Sequence, residues 1–217
     1  MSSRPEFADN RYGKTLSESI KEVIDYYKEL LMDSPSFDIS TAYFNLGGYL
    51  SIADELEDVG SFRLLIGAEP LKKDRKELKA PGESHAELYD KEKVEKTLKR
   101  LDEDLEQDRD LLGFNKENNE NLKRLIRFLN KENVEVRRYE KGFLHGKAYI
   151  FANQLGVLAG SSNFTKAGLN TNLELNLGQY QPSVTNQVKL CFDNLWWERE
   201  PYDLAEIYEE QFKPYSP

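Results

Sequence analysis

The chain has 217 residues, 30 Lys and Arg against 39 Asp and Glu, and a formal net charge of −9. Hydrophobic residues make up 39% and aromatics 12%, too many core-forming side chains for a disordered polymer and too little glycine for a collagen-like one. One cysteine and two histidines exclude an internal disulfide, a Cys-rich zinc site and a His-rich metal site.

The elements read off in chain order begin with a helix at Thr15, where Thr15 and Glu18 have capping-box spacing. Leu16, Ile20, Val23, Ile24, Tyr27 and Leu31 follow a helical period behind it. Residues 37–45 read as a strand running into a Gly47–Gly48 turn, residues 49–57 as a helix, and Phe62–Ile66 as a short buried strand. This β-α-β opening favours a parallel sheet flanked by helices.

From Leu71 the character changes to a long, charged stretch short of β-branched residues, read as a helical insertion over about 71–113. Beyond it Leu122, Leu125, Ile126 and Leu129 form one helical stripe, and Val134–Tyr139 is a strand. Three short strands follow, at 147–151, 155–159 and 173–177, and two helices close the chain at about 183–198 and 202–212. The expected architecture is a single α/β domain over residues 1–217, an α/β/α sandwich on a mixed, mainly parallel sheet.

Charge is unevenly spread. Residues 83–110 hold eleven acids and six bases, whereas residues 121–147 hold eight bases and three acids. Screening makes local charge count for more than the total, so an acidic chain does not argue against a polyanionic substrate. The basic run Lys123, Arg124, Arg127, Arg137, Arg138, with Lys166 further on, is a candidate for contacting a phosphate backbone. Its bland reading is a solvated face.

Residues 143–178 (FLHGKAYIFANQLGVLAGSSNFTKAGLNTNLELNLG) concentrate the chemistry. In an extended segment His145 and Lys147 share a face, as do Ser161 and Asn163, and Glu174 is placed on the following strand. An imidazole serves as nucleophile or proton donor. Lys and Asn hold phosphoryl oxygens as charge builds on them, and a carboxylate orients an imidazole. This is a set for metal-free phosphoryl transfer, with neither metal nor cofactor expected. Taken singly, Ser161 and Asn163 read as a polar turn and Glu174 as an ion-pair partner. His85 reads as a solvated loop residue, Cys191 as a small core residue, and Trp196–Trp197 as core or partner packing.

The pattern His145-x-Lys147, Gly160-Ser161-x-Asn163-Phe164-Thr165 and Glu174 resembles the phospholipase D superfamily, most closely its nuclease branch. That resemblance implies a metal-independent phosphodiesterase acting on DNA through a phosphohistidine. His145 is then nucleophile or acid, Lys147 and Asn163 hold the phosphate, Ser161 assists and Glu174 orients the imidazole. The family often has Asp seven residues after the His, and here that position is Ala152. Residues 37–67 and the LWWEREPYD segment resemble the phospholipase D-like domain found ahead of Swi/Snf-type helicases, which implies a domain boundary near Pro217 and a helicase domain in the same protein.

The family chemistry uses two histidines, and this chain offers one His-x-Lys motif, so the resemblance implies a homodimer with a shared active site. A silent nucleic-acid-binding module of a helicase and a lipid phosphodiesterase are the alternatives. The sequence has no amphipathic basic membrane-binding helix, no apolar stretch near membrane-spanning length and no secretory pattern in residues 1–14, so no membrane partner and a cytoplasmic location are expected.

Overall fold

Thr15 opens the first helix as its spacing predicts. In the computed structural model, which describes residues 4–67, 91–110, 116–199 and 201–210, Thr15 accepts the Glu18 N–H and the Glu18 carboxylate accepts the Thr15 N–H, closing a capping box. Helix α1 spans Leu16–Leu31. It buries Leu16, Ile20, Val23, Ile24 and Tyr27, whereas Leu31, at the end of the helix, is exposed.

Strand β1 is Phe7–Ala8 and β2 is Ser36–Thr41. Helices α2 (Leu46–Ser51) and α3 (Ala53–Glu57) follow, and β3 is Ser61–Ile66. Gly47 and Gly48 lie inside the first turn of α2 rather than in a turn after a strand. The Asn45 side chain caps that turn by accepting the Gly48 N–H at 2.8 Å. A Cβ on Gly48 would stand 2.5 Å from the Phe164 carbonyl oxygen, so the glycine permits close approach of two backbones.

Helix α4 covers Lys91–Asp110, the part of the expected insertion within the described residues. Its Leu101 and Leu105 join the main hydrophobic core, so this part is bound into the body of the fold. Helix α5 (Lys116–Leu129) buries Leu122, Leu125 and Phe128. Strands β4 (Val134–Arg138), β5 (Lys147–Phe151) and β6 (Gly156–Gly160) come next. They are followed by α6 (Lys166–Asn170), β7 (Asn176–Gln179), α7 (Pro182–Trp197) and α8 (Leu204–Glu209).

The seven strands form one sheet in the order β1-β7-β6-β5-β2-β3-β4. The α/β class holds, and the sheet is mixed as expected. It is not mainly parallel, because β2–β3 and β3–β4 are parallel and the other four pairings are antiparallel. The β-α-β opening sets the parallel half, and the β5–β6 hairpin, with β7 beside β6 and the distant pairings β2–β5 and β1–β7, sets the antiparallel half.

The main core lies between the sheet and helices including α1, α2 and α5, with Phe37, Phe62, Tyr149 and Phe151 of the sheet facing it. On the opposite face Leu65, Ile150 and Val157 pack under Phe192 and Trp196 of α7. Trp196 is buried, Trp197 is 71% exposed, and Cys191 is exposed rather than a core residue. The inward stripe of α7 runs through Lys189, Phe192 and Trp196, and position 191 falls outside it. Among the described residues no helix is long and apolar enough to cross a membrane. His85 lies outside the described residues.

Candidate active site

Lys147 is the first residue of β5 and its side chain is buried, 4% exposed. His145, two residues earlier in an extended approach to the strand, is exposed. Lys147 Nζ lies 2.9 Å from Nδ1 and 3.3 Å from Nε2 of His145, and the tautomer of the ring decides which nitrogen takes part in the contact. The His-x-Lys spacing therefore brings the two groups together as expected. The Ser40 hydroxyl donates to the Gly146 carbonyl at 3.0 Å, which fixes the peptide between them against β2.

In the β5–β6 ladder Lys147 stands opposite Gly160. Ser161, the next residue, donates its hydroxyl in a short bond to the Glu174 carboxylate. It also accepts the Leu175 N–H at 3.1 Å. Glu174 precedes β7 rather than lying on it, because regular pairing with β6 begins only at Asn176 opposite Gly160. The turn after β1 braces this approach. Glu174 N–H donates to the Asp9 carbonyl at 3.3 Å, and the Asn10 amide donates to the carbonyls of Gly168 and Asn172 at 2.7 and 3.1 Å.

Asn163 is held by the end of β2. Its Oδ1 accepts the Ala42 and Tyr43 N–H groups, each at 3.2 Å, and lies 3.3 Å from the Thr41 hydroxyl. With the oxygen so occupied, the two N–H groups of the amide are the ones available to a phosphoryl oxygen. Beneath the site Tyr149 donates to the Ser162 carbonyl at 3.0 Å, and burial together with the nearby Glu174 charge pushes its phenol well above the ordinary range. Asn176 is fully buried and donates to the Ser162 hydroxyl at 2.8 Å.

There are thus two engaged pairs, His145–Lys147 and Ser161–Glu174, on neighbouring strand ends, and Asn163 is held by the end of β2. The contacts of Thr41, Ser40 and Asn10 had no signal in the motif itself, since each reaches it from more than 100 residues away. Ala152 lies at the other end of β5 with φ of 49°, about 17 Å along the strand from Lys147 at 3.3 Å per residue. A carboxylate there would belong to the hairpin turn rather than to the end of the strand that holds Lys147.

The basic residues divide. Lys166 is exposed, three residues after Asn163, and its N–H donates to Asn45 Oδ1 at 3.0 Å. Arg124 is tied to Glu57 and Asp54 at 2.7 and 2.5 Å, which leaves it little to offer a phosphate. Arg138 pairs with Asp102 and Glu140, both at 2.7 Å. Arg137 lies against Trp196 and Trp197 and donates to the Trp196 and Arg199 carbonyls. Lys123 pairs with Glu120 on α5, and Arg127 is exposed on the same helix. Among the described residues no cluster of three or more His, Cys, Asp or Glu could hold a metal ion.

Residues 105–196 match the family model described as cardiolipin synthase, PLD-like domain. No curated protein matches the sequence. Among solved structures, a phospholipase D family member, Nuc, from Salmonella typhimurium is similar at 12% identity and a TM-score of 0.52, over 91% of this chain and 96% of that one. Phosphatidylserine synthase from Haemophilus influenzae is similar at 16% identity and a TM-score of 0.52, over 96% of this chain and 42% of that one. At these identities the likeness is one of fold.

Proposed function

We propose that this chain carries a phospholipase D-like domain, as the match over residues 105–196 and the likeness of fold support, and that it is a metal-independent phosphodiesterase that cleaves DNA through a phosphohistidine. The observation that supports the reading is the placement of the His145–Lys147 pair, Asn163 and the Ser161–Glu174 pair at one end of the sheet. A phosphoryl group placed there meets an exposed imidazole, an ammonium and an amide N–H pair, which together neutralise and orient its oxygens as charge builds.

In the first step the unprotonated ring nitrogen of His145 attacks phosphorus. The N–P bond forms as the P–O bond to the leaving oxygen breaks, and that oxygen takes a proton from a second imidazolium. In the second step water attacks the same phosphorus, gives its proton to the second imidazole and releases His145. One histidine cannot hold the phosphoryl group and deliver the proton together. The second imidazole is assigned to another copy of the chain, in a homodimer that shares its active site.

DNA is preferred as substrate because Lys166 stands exposed beside the motif, with Lys123 and Arg127 accessible on α5. The likeness of residues 37–67 and the LWWEREPYD segment to the domain ahead of Swi/Snf-type helicases supports a role alongside a helicase domain. The description of the matched family supports a second reading, hydrolysis or transfer at a phospholipid diester.

The test is cleavage of a DNA duplex by the full chain with and without a chelator, beside phosphatidylglycerol vesicles, with His145→Ala as control. The reading expects chelator-resistant DNA cleavage that vanishes in the variant. Cleavage that survives His145→Ala refutes it, and turnover of phosphatidylglycerol alone moves the assignment to lipid.

A further inference from the structure

A cavity of about 310 Å³ lies beside the end of β4, lined by Arg138, Lys141 and Arg199 together with Glu140, Glu198 and Tyr202. Arg199 is its fixed cation. The residue is 7% exposed, and its guanidinium lies over the Tyr139 ring, 4.1 Å from the centroid. Its carbonyl accepts from Arg137 at 3.0 Å. Among the described residues its Nε has no acceptor. A buried donor left unpaired is costly and calls for an explanation. A planar fork held by stacking is the form in which arginine recognises an oxyanion.

Glu198 stands where such an oxyanion would sit. Its carboxylate reaches Arg199 at 3.3 Å and Lys141 at 3.6 Å. Both contacts are looser than the 2.7 Å bonds that tie Arg138 to Asp102 and Glu140. Lys141 and Glu198 are mostly open to solvent, and exposed ion pairs of this kind are worth little.

The cavity lies at the same end of the sheet as the candidate site. Arg138 is paired with Ile66, and Ile66 with Thr41. Ser40 is paired with Ala148, which brings Thr41 level with Lys147. Arg138 continues the core-facing positions Val134 and Val136, and Lys147 those of Tyr149 and Phe151. The two backbones are thus three strand spacings apart on one face, about 14 Å, or about four nucleotides of a strand at about 3.4 Å each. Lys141 also precedes His145 by four residues. The segment between them is held by Phe143 against Val94 and Leu98 of α4, and by Leu144 in the cluster with Phe192 and Trp196 of α7.

We infer that Arg199 and Lys141 form a second phosphate site, taking a backbone phosphate of the DNA strand whose scissile phosphate lies at His145. Glu198 swings out as that phosphate enters, and Arg138, engaged by its own acids, adds charge to the wall. A strand already held at His145 presents its further phosphates at high effective concentration, enough to displace a loosely held carboxylate. The strand's course from His145 rests on the phosphodiesterase reading, whereas the pocket's fit to phosphate stands on its own residues.

The experiment measures oligothymidylate binding by the full chain carrying His145→Ala, which prevents turnover, with Lys141→Ala or Glu198→Gln added. The probes are a dinucleotide and an oligomer of about eight nucleotides, long enough to span both sites. Arg199 is left intact because its buried stem packs on Tyr139. Lys28→Ala and Asp58→Asn make the same charge changes at an ion pair remote from the cavity. Lys141→Ala should weaken the longer oligomer about 3- to 10-fold and lower its salt slope by about 0.7. Glu198→Gln should strengthen it about 2- to 5-fold. Dinucleotide binding should not change, nor should turnover of bis(p-nitrophenyl) phosphate when the same substitutions are made with His145 in place, and the two control variants should match their parent.

Unchanged affinity and salt slope in both cavity variants overturn the second site. Binding of inorganic phosphate that Lys141→Ala abolishes, with no gain from strand length, overturns the strand in favour of a free phosphate. Loss of binding to phosphatidylglycerol vesicles in Lys141→Ala, with oligomer binding intact, overturns it in favour of a lipid headgroup. Both expected shifts in a chain that cleaves neither DNA nor bis(p-nitrophenyl) phosphate uphold the phosphate site and reject the activity.

Discussion

The Thr41 hydroxyl accepts the Phe164 N–H at 3.0 Å and lies 3.3 Å from Oδ1 of Asn163, so one side chain at the end of β2 fixes both the backbone and the amide of the GSSNFT turn. Thr41→Val keeps the shape and removes the oxygen. The Phe164 N–H is then buried without a partner, at a cost of about 1–3 kcal/mol. Asn163 loses one of its holds, and turnover should fall about 10- to 100-fold through misplacement of its N–H groups. Chemical unfolding together with kcat for DNA cleavage checks both parts, and unchanged kcat at lowered stability would deny Asn163 its role.

Lys147 presents its charge from a buried stem. Lys147→Met preserves the stem volume and removes the donor to His145 and to phosphate. The variant should unfold within about 1.5 kcal/mol of wild type and lose about 100- to 1000-fold in kcat/KM. A variant that folds and turns over normally would reduce the His145–Lys147 pair to surface chemistry.

Two glycines near the site predict opposite outcomes. A Cβ on Gly160 would fall within 1.9 Å of the Leu175 carbonyl oxygen and 2.7 Å of Asn176 Cα, whereas one on Gly146 meets nothing within 4 Å. Gly160→Ala should force β6 from β7, lower stability by about 1–3 kcal/mol or more and weaken the Ser161–Glu174 contact. Gly146→Ala should stay within about 0.5 kcal/mol of wild type. Urea unfolding of the pair decides it.

Asp108 of α4 accepts the Leu46 N–H at 2.9 Å and the Tyr208 hydroxyl at 3.1 Å. Burial pushes its carboxyl above the ordinary range, and those two donors only partly oppose the rise. A carboxyl raised in the folded state binds its proton better there than in the unfolded chain. Its contribution to stability therefore falls as pH climbs from about 3.9 through the raised folded value, and is lowest beyond it. Asp108→Asn, which keeps an acceptor but cannot ionise, should lack this decline. Relative to wild type it should gain stability between pH 4 and 7. Thermal unfolding across that range tests it, and a gap that does not change with pH would refute it.

Much of this was legible where local chemistry decides. The capping box at Thr15, the strand at 147–151 and the His145–Lys147 pairing depend on spacings of two or three residues, and all appear in the structure. The start of β7 was not, because Leu173-x-Leu175-x-Leu177 alternates like a strand while pairing with β6 begins only at Asn176. The antiparallel seat of β5 beside β2 was equally hidden, since strand partners are chosen across more than 100 residues. Asn163 could be suspected from its motif, but not the way Thr41, Ala42 and Tyr43 hold its oxygen.

That hold has a consequence for how the proposed activity would be acquired. The bonds that set Gly146, Asn163 and the Gly168–Asn172 segment span 106 to 162 residues. Strand β2, which supplies two of them, sits between β5 and β3 in the sheet. Contacts so distant form late, after their loop-closure entropy has been met. A fragment spanning 105–196 holds the whole His-x-Lys and GSSNFT sequence yet lacks the strand that shapes it. The proposed hydrolytic competence should then appear only with closure of the complete sheet, leaving a nascent chain with the motif but without the shaped site.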